Sequence, residues 1–326
     1  MRRGMRELEL IEALQGVLRR EDPRVIRWLG DDAAITRSRG YAVTSVDTMV
    51  DGVHFRSSEL SSAEIGHRAL AGALSDLAAM GAAPGEAFLA LGLPAGAELD
   101  SALALIGGAQ QLAGRHGVSI AGGDVTRAPA LTMSFTVIGW TRDPGELVTR
   151  DGAQPGDIVG VTGTLGGAGA GLAVVEGRVS LGDAHAAELR ERYARPEPQL
   201  AAGAALAAAG ASAMIDLSDG LATDAAHIAR ASGVALELSL AALPLAGGVR
   251  DAAAQLSIEA EVFAASAGDD YELCVCAPPP ACATLAAALA SAAPAARITW
   301  IGRAVRGTGV SFAGASAPLS GYEHLL

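Results

Sequence analysis

Lysine is missing altogether from this sequence of 326 residues, in which every basic side chain apart from histidine is an arginine. Walker-type phosphate loops and protein kinases both place a lysine on the phosphates of the nucleotide. The sequence therefore excludes both of these nucleotide-binding classes. Any nucleotide chemistry in this chain must depend on metal ions, arginine side chains and backbone amides.

Cysteine is scarce as well, with Cys274, Cys276 and Cys282 as the three thiols of the chain. Their spacing differs from that of zinc ligands, and an odd number of cysteines gives no disulfide framework. We expect buried structural thiols, which suit a reducing cytoplasm.

Aromatic residues are few, at 4%, whereas 50% of the residues are apolar. The core must then consist mainly of small side chains in close backbone contact. The formal net charge of -12 argues against nucleic acids and anionic membranes as partners, because both require a basic surface. A local anionic ligand remains compatible with this charge where metal ions neutralise it.

Two long uncharged runs, Pro198–Ile215 and Leu273–Ala296, need to be weighed as membrane spans. The first is mostly alanine and glycine, and the second contains three consecutive prolines. Neither pattern predicts a span. Residues 1–20 mix charged and apolar residues, unlike a secretory signal. We therefore expect a cytoplasmic protein without a membrane partner.

The pattern of predicted strands and helices divides at residues 149–157, where Gly152, Pro155 and Gly156 interrupt it. We predict an N-terminal domain over residues 1–148 and a C-terminal domain over residues 149–326. Strands and helices are mixed in both halves, which is typical of the α+β class with mixed sheets.

Asp76 lies on a predicted helix, Ala63–Met80, beside small apolar residues at helical spacing. A charge on such a face is costly unless it is paired or binds a metal. Two interpretations stay open: Asp76 reaches water at the edge of the buried face, or it is a metal ligand.

Three further aspartates, Asp47, Asp124 and Asp216, each follow a predicted strand, and strand ends are where loops collect functional groups. Ser218 and Asp219 join the last of these strands to a predicted helix, Gly220–Ser232. Either residue could cap that helix, and the two together could also bind a metal.

Other candidate positions each have an ordinary structural alternative. The doublet Asp31-Asp32 fits a surface turn or a Mg2+ site, since oxygen clusters suit that ion. Residues 163–171 could hold a phosphate at a helix start or form a tight turn. His54 could be structural, and Tyr322 could dock the C-terminal tail or face a ligand.

Eight motifs, taken in order along the chain, resemble those of thiamine-monophosphate kinases. They are Gly30-Asp31-Asp32-Ala33-Ala34, Asp47 with Gly52-Val53-His54-Phe55, Leu74–Gly81, Gly122-Gly123-Asp124, Thr149–Ala153, Ala194-Arg195-Pro196, Ile215–Leu221 and Gly268–Leu273. The resemblance extends from about Asp22 to the C-terminus.

This family belongs to the aminoimidazole-ribotide-synthetase-like ATP-binding proteins, so the resemblance implies two α+β domains. The N-terminal domain would bind ATP and metal and would form a homodimer. The implied reaction is Mg2+-dependent transfer of a phosphoryl group from ATP to thiamine monophosphate. The alternatives are a catalytically silent protein that binds nucleotides or thiamine phosphates, and another ATP-dependent enzyme of the same superfamily.

The resemblance also assigns roles to individual residues. The implied metal ligands are Asp32, Ser45, Asp47, Asp76, Asp124, Asp216 and Asp219. The implied nucleotide contacts are Gly123, Asp124, Arg150 and Ser218, and the implied substrate contacts are His54, Asp269 and Tyr322. Direct catalytic roles are expected for Asp76, Asp219 and Arg150.

The sequence departs from the family pattern at three places. Val46 stands where the family usually has threonine or serine, Asp269 replaces a glutamate, and Leu325 replaces a phenylalanine. These differences affect the expected contacts with metal and substrate more than the phosphoryl chemistry.

Overall fold

The computed structural model describes residues 7–28 and 33–323 of the chain. Contacts between residues divide the chain into two units. Unit 1 consists of Met1–Leu77 and Ala83–Pro144, and unit 2 of Ala78–Ala82 and Gly145–Leu326. We keep the predicted boundary after residue 148 as a proposal.

Unit 1 contains a four-stranded mixed sheet in the order β3-β6-β4-β5, in which only β4 and β5 are parallel. Its described elements are α1 (Glu7–Val17), β1 (Val25–Arg27), β2 (Ile35–Thr36), β3 (Tyr41–Val50), α2 (Ser62–Met80), β4 (Ala83–Leu93), α3 (Leu99–Arg115), β5 (Ser119–Arg127) and β6 (Thr132–Thr141). The last residues of α2 belong to the segment 78–82, which is counted with unit 2.

One face of this sheet forms the core of unit 1. Met133, Phe135 and Val137 alternate along β6 and are fully buried, as the period of two in a strand requires. Helices α2 and α3 pack closely because glycine lies at their contact: a Cβ at Gly66 would be 1.8 Å from the carbonyl oxygen of Leu105. The small-residue core expected from the composition is therefore present.

Unit 2 contains a six-stranded mixed sheet in the order β12-β9-β11-β7-β10-β8, in which only β12 and β9 are parallel. Its further elements are β7 (Ile158–Thr162), α4 (Gly167–Val175), α5 (Asp183–Ala194), α6 (Leu200–Ala208), β8 (Ala213–Asp216), α7 (Leu221–Ser232), β9 (Ala235–Ser239), α8 (Val249–Gln255), α9 (Ala260–Ser266), β10 (Leu273–Ala277), α10 (Cys282–Ala292), β11 (Ile298–Val305) and β12 (Gly309–Ala313).

The α+β class with two mixed sheets is confirmed. The uncharged run Pro198–Ile215 becomes α6 and β8, and the run Leu273–Ala296 becomes β10 and α10. Within the part of the chain that the structure describes, no helix has the length and apolar character needed to cross a membrane.

The prediction that Asp47 and Asp124 follow strands is wrong. Asp47 lies within β3, which pairs with β6 as far as Val50, and Asp124 lies within β5, which pairs with β4 as far as Arg127. Neighbouring strands continue the hydrogen-bond ladder beyond each aspartate, so the polar residue does not end the strand. Asp216 is the last residue of β8, as predicted.

Candidate active site

Ser45, Asp47 and Asp76 come together in unit 1. Ser45 and Asp47 alternate on the face of β3 that also carries the buried Val137 and Phe135 of β6. Asp76 projects from α2, and the Ser45 Oγ donates a hydrogen bond of 2.5 Å to its Oδ2. The side chain of Asp76 is half-buried between buried neighbours, so its carboxylate has a polar partner without being fully solvated.

Val46 points to the opposite face of β3 from Ser45 and Asp47, because side chains alternate along a strand. Its side chain is 62% exposed. The hydroxyl group that the family pattern would place at this position is therefore missing from the open face of the sheet, not from the face that carries Asp76.

Gly123 and Asp124 lie apart from this group. They belong to β5 at one edge of the sheet, whereas β3 forms the other edge. Three strand spacings separate the two edges, which amounts to about 14 Å. Within unit 1, Asp124 therefore does not join Ser45, Asp47 and Asp76 in one cluster.

A cavity of about 550 Å³ opens beside Gly122, Gly123 and Asp124. Its other walls are mainly apolar side chains from α1, α3, β4 and β5, including Leu14 and Ile106. Gly123 has a steric reason to be glycine, since a Cβ would lie 1.9 Å from the carbonyl oxygen of Leu89. A concave apolar site with a few polar groups is typical of a small-molecule pocket.

The loop 216–220 is the centre of the polar group in unit 2. It begins at Asp216, which is 4% exposed at the end of β8, and leads into α7. Gly220 has a φ of 104°, in the region that favours glycine. The loop thus carries Asp216, Ser218 and Asp219 on a fixed turn between a buried strand and a helix.

The segment 269–272 lies against this loop and is bonded to it through the backbone. Asp269 N–H donates to the Ser218 carbonyl at 2.8 Å, and Tyr271 N–H donates to the Leu217 carbonyl at 2.9 Å. In return, Leu217 N–H donates to the Glu272 carbonyl at 2.8 Å. The structure therefore brings Asp269 next to Ser218 and Asp219.

Asp269 and Tyr271 have positive φ values of 67° and 49°. Among the described residues, Ser257 is the one other non-glycine residue with a positive φ. Such conformations cost free energy and concentrate at functional sites. The Tyr271 hydroxyl also donates to Asp269 Oδ1 at 3.3 Å, which holds the carboxylate of a predicted substrate contact.

The C-terminal tail reaches the same loop. Tyr322 N–H donates to the Asp219 carbonyl at 2.9 Å, and Gly321 N–H donates to Thr223 Oγ1 at 2.8 Å. The Tyr322 side chain is 48% exposed. Unit 2 therefore collects Asp216, Ser218, Asp219, Asp269 and Tyr322 around one loop.

Asp224 is a member of this group that the sequence analysis missed. Its carboxylate is 2% exposed and accepts a hydrogen bond of 3.1 Å from Asp219 N–H. Burial, and then the charges of Asp216 and Asp219, raise the pKa of Asp224 to about 8. The sequence contained a signal for this residue, because Asp224 is an acid on the same helical face as the apolar residues Leu221 and Ile228.

Arg150 lies beside the other end of α7. Its backbone carbonyl accepts a hydrogen bond of 2.9 Å from Ser232 Oγ, which in turn accepts one of 3.1 Å from Ala153 N–H. Burial, followed by the positive charges of Arg150 and Arg230, lowers the pKa of His227. Arg150 therefore contributes positive charge beside the C-terminal half of α7, where it acts on His227.

His54 lies in the turn after β3, where its Nδ1 accepts a hydrogen bond of 3.1 Å from Val50 N–H. The turn is in unit 1, in the strand-to-helix connection that follows Asp47. Asp32 and Leu325 lie outside the described residues, so their places in the site stay predictions.

The described residues contain no group of three or more His, Cys, Asp and Glu side chains that could by itself hold a metal ion. The carboxylates come instead as smaller sets, Asp47 with Asp76 in unit 1 and Asp216 with Asp219 in unit 2. Mg2+ commonly uses one or two carboxylates together with water and substrate phosphates. Each set contains two carboxylates, the number that such a site commonly takes from the protein.

Two domain families match most of the chain. Residues 30–141 match the family of AIR synthase related protein, N-terminal domain, and residues 154–313 match AIR synthase related protein, C-terminal domain.

The chain is also similar to named proteins and solved structures. It is 40% identical over 310 residues to the thiamine-monophosphate kinase of Caulobacter vibrioides, covering 94% of this chain and 86% of that protein. A thiamine-monophosphate kinase of Mycobacterium tuberculosis is 39% identical over 260 residues, with coverage of 79% and 77%.

The structure of thiamine-monophosphate kinase from Stenotrophomonas maltophilia aligns with a TM-score of 0.83, 36% identity and coverage of 97% and 99%. A structure described as AaThiL complexed with AMPPCP and TMP aligns with a TM-score of 0.79, 27% identity and coverage of 98% and 99%. These similarities confirm the resemblance seen in the motifs, and the chain belongs to the thiamine-monophosphate kinase family.

Proposed function

We propose that this protein transfers the terminal phosphoryl group of ATP directly to thiamine monophosphate, giving thiamine diphosphate and ADP in a reaction that needs Mg2+. The similarity to a thiamine-monophosphate kinase over 94% of the chain carries this proposal. It is supported by the similar structure whose description names AMPPCP, an ATP analogue, and TMP.

The acceptor needs little chemical activation. A phosphate monoester has a second pKa of about 6, so its oxygen is largely ionised at neutral pH and no strong general base is required. The main obstacle is repulsion between an anionic acceptor and the polyphosphate. We therefore propose an in-line transfer without a covalent phosphoenzyme, in which charge neutralisation and positioning supply most of the catalysis.

Carboxylates and one serine hydroxyl are the groups that would hold Mg2+. We assign this role to Ser45, Asp47 and Asp76 in unit 1 and to Asp216 and Asp219 in unit 2, with Asp32 and Asp124 as further ligands. When bound, Mg2+ neutralises and aligns phosphate oxygens. The hydrogen bond between Ser45 and Asp76 fixes the orientation of that carboxylate before any ligand arrives.

Nucleotide binding is assigned to Gly123, Asp124, Arg150 and Ser218. The cavity beside Gly123 has apolar walls that suit a purine base. Arg150 supplies charge stabilisation for the transferred phosphoryl group, which matters because the chain has no lysine.

Substrate binding is assigned to His54, Asp269 and Tyr322. The carboxylate of Asp269 would attract the positively charged ring system of a thiamine phosphate, and the ring of Tyr322 would lie against it. The strained backbone at Asp269 favours this role, since the surrounding structure maintains a conformation that costs free energy.

We further propose a cytoplasmic homodimer. The free thiols of Cys274, Cys276 and Cys282 suit a reducing compartment. The open face of the sheet in unit 1 exposes Val46, which supports a partner surface there. Light scattering should give twice the chain mass of 32.6 kDa, and a mass of one chain would contradict the dimer.

The test is incubation of the purified protein with ATP, Mg2+ and thiamine monophosphate, followed by chromatography for thiamine diphosphate. Product that requires all three components and disappears with EDTA is the expected result. If ATP binds tightly and no product forms, the protein is a silent binder or acts on another acceptor.

A further inference from the structure

The C-terminal tail, residues 314–323, follows β12 and returns to the N-terminal end of α7. Ala315 and Leu319 pack against the apolar core of unit 2, and the tail then makes its two backbone contacts with Thr223 and Asp219. The apolar contacts fix the course of the tail, and the hydrogen bonds fix where it ends.

Gly321 permits an unusually close approach of the tail to the loop 216–220. A Cβ at this position would be 1.9 Å from the Asp219 carbonyl oxygen and 3.1 Å from Thr223 Oγ1. A real Cβ cannot approach a backbone oxygen to that distance, so any larger residue must move the tail. The neighbouring Tyr322 N–H donates to the same Asp219 carbonyl, so its position depends on this contact.

Thr223 supplies the side-chain half of this attachment. It lies in the first turn of α7, and its Oγ1 accepts the hydrogen bond from Gly321 N–H at 2.8 Å. Its neighbours along the helix, Ala222 and Asp224, are both buried, whereas the Thr223 hydroxyl bonds to the tail. Its contribution to the site therefore passes through residues 321 and 322.

The C-terminal tail lies outside the domain that matches the family of AIR synthase related protein, whereas the loop 216–220 lies inside it. The match to the C-terminal domain family ends at residue 313, so it includes Asp216 and Asp219 but not the tail. The shared domain thus provides the carboxylates, and the tail adds an element that the domain match does not contain.

We propose that Thr223 is a positioning residue that, together with Gly321, holds Tyr322 beside the loop 216–220 and so sets the affinity for the acceptor. This inference rests on the proposed function and extends it by a residue outside the predicted site. Thr223 makes its contact at the first turn of α7, whereas the Arg150 segment is attached at the last residue of that helix and Gly123 lies on β5, so we expect Thr223 to affect the acceptor and not the nucleotide.

The experiment compares Thr223→Val, Thr223→Ser and Gly321→Ala with the wild-type protein. Valine keeps the branched shape and removes only the hydroxyl, whereas serine keeps the hydroxyl. Thr284→Val, at an exposed position of α10, is the matched control. The KM values for thiamine monophosphate and for ATP are measured separately, and amide exchange is followed in the peptide covering residues 314–323.

Loss of one such hydrogen bond should raise the KM for thiamine monophosphate about fivefold in Thr223→Val. Gly321→Ala should raise it at least as much, while the KM for ATP stays within about twofold of wild type. Thr223→Ser and Thr284→Val should resemble the wild type. Amide exchange of the tail should quicken in Thr223→Val and Gly321→Ala alone.

An unchanged KM for thiamine monophosphate in Thr223→Val, or an equal rise in both KM values, would overturn the inference. Failure of Thr223→Ser to restore the wild-type value would do the same. If the wild-type protein makes no thiamine diphosphate, the proposed function fails on that result alone. Amide exchange then still decides the inference, because equal exchange in wild type and Thr223→Val would show that Thr223 does not hold the tail.

Discussion

Asp76 and Asp219 are single carboxylates that the fold holds in place before any ligand binds. Asp76 accepts the hydroxyl of Ser45, and the backbone of Asp219 is held by Asp224 on one side and by Tyr322 on the other. At this scale, a side-chain hydrogen bond orients the carboxylate of Asp76, and backbone hydrogen bonds hold the segment that carries Asp219.

Asparagine at position 76 or 219 should remove most of the kinase activity without unfolding the protein. Its size matches aspartate, and its oxygen can still accept a hydrogen bond, but its charge is lost. We expect kcat to fall about 100-fold or more, as for other groups that stabilise transition-state charge. Asp100→Asn, at an exposed position of α3, is the control. Wild-type rates in Asp76→Asn or Asp219→Asn would disprove the metal role.

The titration of the buried Asp270 carboxylate should make the stability of the folded protein depend on pH. Its carboxylate accepts hydrogen bonds from Gly166 N–H at 2.6 Å and Ala168 N–H at 3.0 Å at the start of α4. Burial raises its pKa from 3.8 to about 7, the Glu272 charge raises it, and the two backbone bonds and Arg192 oppose the shift. A raised pKa means that the folded state favours the protonated form.

The stability that protonated Asp270 contributes is therefore fully present below about pH 4 and is lost as the pH rises through about 7. Asp270→Asn removes this titration at the expense of one backbone hydrogen bond. Thermal unfolding from pH 4 to pH 8 should show a smaller decline in Tm for the variant than for the wild type. Parallel curves would show that Asp270 does not titrate in this range.

At the scale of elements, α7 organises most of unit 2. Its first turn receives the tail through Thr223, its buried face carries Asp224, and its last residue, Ser232, holds the segment of Arg150. One helix thus links the loop of the carboxylates to the arginine.

Ser232→Ala should release the segment that carries Arg150. The variant loses the bridge between the Arg150 carbonyl and Ala153 N–H, so we expect the KM for ATP to rise about threefold to tenfold. The KM for thiamine monophosphate should stay near the wild-type value. Ser291→Ala on α10 is the matched control, and an unchanged KM for ATP in Ser232→Ala would contradict this role.

Gly123→Ala tests the close approach of β5 to β4. The added Cβ would lie 1.9 Å from the Leu89 carbonyl oxygen, so the strands must separate and the protein should lose about 1–3 kcal/mol of stability. Gly107→Ala is the contrast, because a Cβ there meets nothing within 4 Å in the middle of α3. That variant should gain about 0.5–1 kcal/mol. Equal unfolding midpoints for the two variants would disprove the steric argument.

The sequence pattern predicts α7 and β8 well, because apolar residues at fixed spacing end at glycine or aspartate. It fails at Asp47 and Asp124, since the length of a strand depends on its neighbours and not on the strand alone. Asp224 escaped attention for a related reason: a helical pattern shows which face is buried, but not that a buried acid bonds to a distant backbone amide.

The strained backbone at Asp269 could not be predicted either. Aspartate takes a positive φ more often than most residues other than glycine, but tyrosine rarely does. Backbone hydrogen bonds to the loop 216–220, about fifty residues earlier in the chain, hold both residues in this conformation. The sequence motif identified the place, while the tertiary contacts determined its geometry.

At the scale of the whole molecule, the chain has no lysine and carries an excess of negative charge. The proposed kinase nevertheless handles two anionic substrates. The carboxylates of both units can bind these anionic substrates only if cations accompany the nucleotide, and arginine adds further positive charge. Bound Mg2+ would therefore reconcile the negative charge of the chain with the proposed reaction.

The most direct test of the central claim is a 31P NMR time course of the purified protein with ATP, Mg2+ and thiamine monophosphate. The proposal predicts that the β-phosphate signal of thiamine diphosphate grows as the γ-phosphate signal of ATP declines, mole for mole, and that EDTA stops both changes. Inorganic phosphate released in place of thiamine diphosphate, or an unchanged spectrum, would contradict it.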